Sequence, residues 1–199
     1  AVTSVFTKAV EAANAAVVSH TPEGSTKPPS ATFSASVVEG DMLFFANVGD
    51  SRSYWLPDAQ PGRQLSVDDS DAQAQIAAGV PRKVAESSPT AHAITKWLGQ
   101  DAHDITPQVG QLQLTEPGWV LVCSDGLWNY ASTPEELVEQ MTAVGSGEPA
   151  VLALALTDFA NASGGQDNIT TVFARVDPPG AVPTPGQNAG TSTERESDG

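Results

Sequence analysis

The sequence predicts an α+β domain in which antiparallel sheets are covered by helices. Two observations carry this. Apolar residues recur at helical spacing near the start and again after residue 133. Between these stretches lie short runs rich in Val, Phe, Leu and Thr, joined by turns of hairpin length. A chain of 199 residues is long enough for one such domain with a sizeable core.

The elements follow in order. Val2, Val5, Phe6, Val10, Ala13 and Val17 fall on one helical stripe over residues 2–19. "HTPEGSTKPPS" (20–30) is a Pro/Gly/Ser connection. "ATFSASVVEGDMLFFANV" reads as two strands around a turn at Glu39-Gly40-Asp41, with Phe33, Ala35 and Val37 on one face. "VGDSR" turns the chain into "SYWL". From Ser66 to Ala91 the chain is polar and irregular, with short helices expected around "DAQAQIAAG" and "PRKVAES". "AITKWL" and "QVGQLQL" read as short strands, and the apolar run "GWVLVCS" as a buried one.

Thr133-Pro134-Glu135-Glu136 is a helix start: Thr caps, Pro takes the first position and Glu the third. A second helix, "EPAVLALALTDFANA", ends at Gly164-Gly165. "NITTVFARV" is the last strand. The domain is therefore placed at residues 1–176. Residues 177–199, rich in Pro, Gly, Ser and Thr, have no apolar periodicity and read as a disordered tail or linker.

The charge is lopsided, with 24 acids against 9 bases and a formal −15. Nucleic acid and anionic membrane both need clusters of Lys and Arg, so neither is expected as a partner. No apolar run approaches the ~20 residues that span a bilayer, and the first residues are amphipathic rather than a secretory signal. Cys123 is the only cysteine, which rules out an internal disulfide and fits a reducing cytoplasm. It lies in "WVLVC", where a thiol packs as a small hydrophobe, and no histidine stands near it in a nucleophile motif.

Three aspartates stand at strand ends beside a glycine: Asp50 in "NVGDSR", Asp125 in "VCSDGL" and Asp167 in "GGQDN". Each has a structural reading, as a hairpin residue, a turn cap or a turn aspartate. Each also has a chemical one. A carboxylate at the end of a buried strand needs a cation, hydrogen bonds or a raised pKa. If the strands ending at 124 and starting at 168 are neighbours, Asp125 and Asp167 reach one rim, where they repel unless bridged by a cation. Carboxylate oxygens without His or Cys select Mg²⁺ or Mn²⁺ over zinc. His20, His92 and His103 lie in polar stretches at no ligand spacing and read as surface residues.

"FFANVGDSRSYWL", "LSVDDS", "AITKWLG", "VLVCSDGLWNY" and "GGQDNITTVFARV" occur in this order and at compatible spacing. Together they resemble the later part of the type 2C (PPM) metal-dependent serine/threonine protein phosphatases, bacterial members especially. The resemblance covers about residues 1–176. It implies a four-layer αββα sandwich, two antiparallel sheets flanked by helices, with two Mn²⁺ or Mg²⁺ ions at one end. It implies that Asp125 and Asp167 bind metal, that Asp50 lies close by and helps with a weaker third ion, and that Ser124, Gly126 and Asn168 support them. The stretch from Asp68 to Gly99 falls where the family has a mobile flap. The implied reaction is hydrolysis of phosphoserine and phosphothreonine in proteins by a metal-activated water, carried out by a monomer on phosphoprotein substrates.

Three departures qualify the match. The family's upstream Asp-Gly motif, whose aspartate bridges the two metals, has no counterpart; Asp41 and Asp101 lack the pattern. The chain is therefore expected to be an N-terminally truncated piece with little or no activity alone, the hydrolysis belonging to the complete protein. Asn129 stands where many members have an acid for a third metal, and Lys96 where an arginine is usual. A pseudophosphatase that binds phosphoproteins without hydrolysing them is the alternative reading.

Overall fold

The computed structural model describes residues 2–91 and 93–180. In chain order the elements are α1 (Val2–Ser19), β1 (Ser30–Ala31), β2 (Phe33–Glu39), β3 (Met42–Val48), β4 (Arg52–Pro57), β5 (Arg63–Gln64), α2 (Asp71–Ala77), α3 (Arg82–Glu86), β6 (Leu98–Gly99), β7 (Gln108–Gln113), β8 (Gly118–Cys123), α4 (Asp125–Trp128), α5 (Pro134–Val144), α6 (Pro149–Ala162) and β9 (Thr171–Val176). From residue 181 the expected tail lies outside the described residues, as does His92.

All strand pairs are antiparallel. One sheet has the order β2-β3-β7 and a second the order β5-β4-β8-β9, while β1 and β6 form a small ribbon. Alternation along each strand sorts the core into layers. Leu43 on β3 meets Trp55 on β4, Val120 on β8 and Val176 on β9 between the sheets. The other face of the second sheet, with Tyr54, Leu56, Leu121, Cys123 and Phe173, packs on Leu127 of α4, Leu137 of α5 and Leu152 and Leu156 of α6. On the far side α1 lays Val10 on Val48 and Leu98, with Ala13, Val17 and Phe33 around them. The result is helix, sheet, sheet, helix, the four-layer αββα sandwich that the motifs imply. Truncating a fully buried leucine such as Leu121 to Ala would cost about 2–5 kcal/mol.

Two expectations need correction, in α1 and in "AITKWL", while β2 keeps Phe33, Ala35 and Val37 on one face as expected. Val5 is 66% exposed and leaves the buried stripe of α1. The stripe turns inward through Phe6 and Val10, which carry the contact. On β2 the polar face is the one that looks at the second sheet. Ser34 and Ser36 hydrogen-bond the hydroxyl of Ser53 on β4, while Phe33 faces α1 and Val37 is exposed. "AITKWL" is not a strand throughout. Ile94 makes an isolated bridge to Ser70, and only Leu98–Gly99 pair, with Ser30–Ala31. Its backbone bonds go to the loop before α2 (Thr95 N to Asp69 O, Asp71 N to Ala93 O), so no neighbouring strand extends it.

Candidate functional site

The site is built where β8 runs out. Buried from Gly118 to Cys123 save for Val122, β8 delivers an extended Ser124 that opens α4, and Asp125 is the first residue of that turn. A carboxylate at a helix start sits among backbone N–H groups that favour its charge.

Ser124 fastens this turn to the loop before β9. Its N–H donates to Thr170 O (3.1 Å), its hydroxyl donates to Asn168 O (3.2 Å), and Thr170 N donates back to the hydroxyl (3.0 Å). Gly126 allows the approach, because a Cβ there would lie 2.4 Å from Asn168 O. β8 and β9 are neighbours, with Cys123 opposite Thr171. Asp125 and Asp167 therefore leave the same end of the same pair of strands. Asp167 is exposed, and its carboxylate accepts the N–H of the next residue, Asn168 (2.7 Å).

Asp50 reaches the same end from the β3–β4 turn. It is only 6% exposed, and its carbonyl accepts the indole N–H of Trp128, the last residue of α4, at 2.9 Å. Burial first, then the charge of Asp125, then that of Asp68, push its carboxyl up to about 6. A buried acid facing other acids in a partly dry place creates a demand for positive charge.

Part of that charge comes from a residue without an assigned role in the sequence. Arg52, at the start of β4, is 1% exposed. Its Nε lies 3.0 Å from both oxygens of Asp68, and its Nη2 donates to Asp68 at 2.6 Å and to Glu86 at 3.1 Å. The guanidinium carbon stands 3.7 Å from the centre of the Trp128 ring. Burial alone would lower the pKa of Arg52, but the hydrogen bond and charge of Asp68 carry it above its ordinary value. The available signal was slight, one of the chain's few bases just ahead of the apolar run "YWL".

The all-oxygen donor set of Asp50, Asp125 and Asp167 fits Mg²⁺ or Mn²⁺ in chemistry. Among the described residues no three His, Cys, Asp or Glu side chains come together in a group able to hold a metal ion. These acids thus fit an ion in kind, as part of a ligand set, and do not close a set among themselves. Next to them is an open cleft of about 340 Å³ lined by Glu86, Trp128, Asn129, Tyr130, Ser132, Glu136 and Gln166. Asn129 and Gln166 border it directly beside the turns that carry Asp125 and Asp167. Lys96 stands away from this cleft's lining, bonded to Asp104 (2.8 Å) and to Thr106 O (3.1 Å).

No family model matches the chain. It is 31% identical over 170 residues to the serine/threonine protein phosphatase PstP of Mycobacterium tuberculosis, a match covering 84% of this chain and 32% of that protein. The chain thus spans about a third of that relative's length. Among solved structures, the PPM Ser-Thr phosphatase MsPP from Mycobacterium smegmatis, in complex with cacodylate, superposes with a TM-score of 0.72 at 30% identity. That match covers 84% of this chain and 71% of the other. The catalytic domain of PstP in complex with two manganese ions shares the fold, with a TM-score of 0.59 at 24% identity, over 87% of this chain and 82% of that one. With the sandwich, the ordered motifs and these likenesses together, the chain belongs to the PPM family of serine/threonine protein phosphatases.

Proposed function

We propose that the protein hydrolyses phosphoserine and phosphothreonine in other proteins, using Mn²⁺ or Mg²⁺ bound in part by Asp125 and Asp167 with Asp50 close by. The observation that carries this reading is the joint between α4 and the loop before β9, where Asp125 and Asp167 leave the same end of the β8–β9 pair with the buried Asp50 at that same end. The PstP catalytic domain with its two manganese ions, built on the same fold, supports the choice of ion. Such an ion supplies Lewis acidity at the phosphoryl oxygens and a water of lowered pKa.

The chain's own residues do the rest. Ser124 and Gly126 hold the Asp125 turn against Asn168, which fixes how far apart the two acids stand. Asn129, Ser132 and Gln166 present polar groups along the cleft to the phosphorylated segment. Covalent catalysis by the thiol is excluded, since burial pushes Cys123 up to about 12. The matched relatives are named as phosphatases, which leaves the binding-module alternative without support. A reducing cytoplasm suits the unpaired, buried Cys123, and among the described residues no helix is long and apolar enough to cross a membrane.

The test is Mn²⁺-dependent hydrolysis of a phosphothreonine peptide by the protein and by Asp125→Asn. Loss of one ligand carboxylate removes a few kcal/mol of stabilisation, so kcat/KM should fall at least ~100-fold. Hydrolysis that persists in Asp125→Asn, or that ignores EDTA, defeats the assignment.

A further inference from the structure

Arg52 lies at the point where the polar segment that begins at Asp68 and the acidic rim meet. The segment from Asp68 to Ala91 has little core of its own, only Ala72, Ala85 and Ala91 with Ile76 and Val80 beside them. A unit so poorly packed opens at low free energy unless something ties it down. The tie is Glu86, the last residue of α3. One of its oxygens accepts from Arg52 (3.1 Å) and from Arg82 (2.8 Å), and the other from the Ser132 hydroxyl (3.2 Å). Asp68, at the other end of the segment, is gripped by the same guanidinium.

On its flat side, that guanidinium stacks on Trp128. The Trp128 indole bonds the carbonyl of Asp50, and Trp128 closes the four-residue helix that Asp125 opens. Arg52 also donates to the carbonyl of Ser132, between α4 and α5 (3.2 Å). A single planar cation therefore touches the loop before α2, α3, α4 and the α4–α5 loop. Glu86, Trp128 and Ser132, three of its partners, all line the 340 Å³ cleft.

We propose that Arg52 is a positioning residue for the reaction, locking the cleft wall and the Asp125 turn into one body so that a bound phosphopeptide and the acidic rim keep a fixed separation. This deepens the phosphatase reading and rests on it. The planar fork is what allows the double role: its edge serves the carboxylates while its face serves Trp128. A lysine would keep the charge and lose both the two-point grip and the stack.

The experiment compares Glu86→Gln and Arg52→Lys with the parent protein by hydrogen exchange and by kinetics. Arg52→Lys leaves a cation beside the buried Asp68, so the fold survives where a neutral replacement would strand a buried charge. In Glu86→Gln, amide exchange should rise about tenfold over residues 82–86 and stay at the parent rate over 125–128, since one charge-assisted tie is lost. In Arg52→Lys it should rise in both segments. With phosphopeptide, Glu86→Gln should raise KM more than it lowers kcat, whereas Arg52→Lys should lower kcat and raise the Mn²⁺ concentration needed for half-activity. A uniform rise in exchange across the fold with KM and kcat falling in step, or parent-like exchange at 125–128 in Arg52→Lys, overturns the proposal. The exchange result stands whether or not the parent hydrolyses phosphopeptides, so failure of the phosphatase reading is told apart from failure of this one.

Discussion

Cys123 is 2% exposed between the second sheet and the helices, and with its thiol pushed up to about 12 almost none is thiolate at neutral pH. An aromatic disulfide reagent at pH 8 should label the folded protein at least ~100-fold more slowly than the urea-unfolded one. Rapid labelling under native conditions would mean that the end of β8 opens readily. Asp50 carries the opposite burden, since it is an acid placed where ionisation is unfavourable. A carboxyl with a native pKa of about 6 and an ordinary value of 3.8 binds its proton more tightly when folded. Its contribution to stability is therefore best below pH 4 and is lost as pH rises through 6, by at most about 3 kcal/mol. Asp50→Asn should accordingly stabilise the protein at pH 7 in EDTA and give little gain at pH 4, read from urea midpoints at the two pH values. A substitution that destabilises at both would show that burial and Asp125 do not dominate at this residue.

Helix α5 shows what local chemistry makes legible. Thr133 accepts the Glu136 N–H, Glu136 returns a bond to the Thr133 N–H, Pro134 takes the first turn and Gly145 ends the helix at φ 64°. Each device acts within a few residues, so the sequence displays all of them. Thr133→Ala should cost about 1 kcal/mol, measured as a shift in urea midpoint at constant slope. The Glu39-Gly40-Asp41 hairpin was visible for the same reason. What the sequence hid depends on partners far along the chain. The serines of β2 face inward because Ser53 waits on the opposite sheet, and "AITKWL" fails as a strand because a loop takes its hydrogen bonds. The rim was visible as three aspartates at strand ends with a glycine beside or close to each. The Arg52 network was not, since Asp68, Glu86 and Trp128 lie far from Arg52 and from one another along the chain and no spacing links them. Gly126 lies between these cases, a glycine whose need becomes evident only once Asn168 is beside it. Gly126→Ala should push the loop before β9 away from α4 and cost several-fold in activity and about 1–3 kcal/mol in stability. A neutral result in both would show that the loop can yield.

Taken whole, the molecule carries 24 acids against 9 bases, and its ion pairs use several of those bases at single points, Arg52 and Arg175 among them. Excess negative charge destabilises a compact chain and is relieved by any salt through screening. A bound divalent ion relieves it at one place only, so the two effects separate at equal ionic strength. An ion held by one or two carboxylates and water binds weakly; at about ten times its Kd it would still add about 1.4 kcal/mol to stability. For a chain of this size that is a rise in Tm of about 3–5 °C. Thermal unfolding in MgCl₂ or MnCl₂ should therefore exceed that in NaCl of matched ionic strength by this amount. In Asp125→Asn the difference should vanish while the response to NaCl persists. Equal shifts in the two salts would reduce the rim to ordinary surface charge. A divalent effect unchanged by Asp125→Asn would put the ion elsewhere on this acidic surface and leave Asp125 a helix-start aspartate.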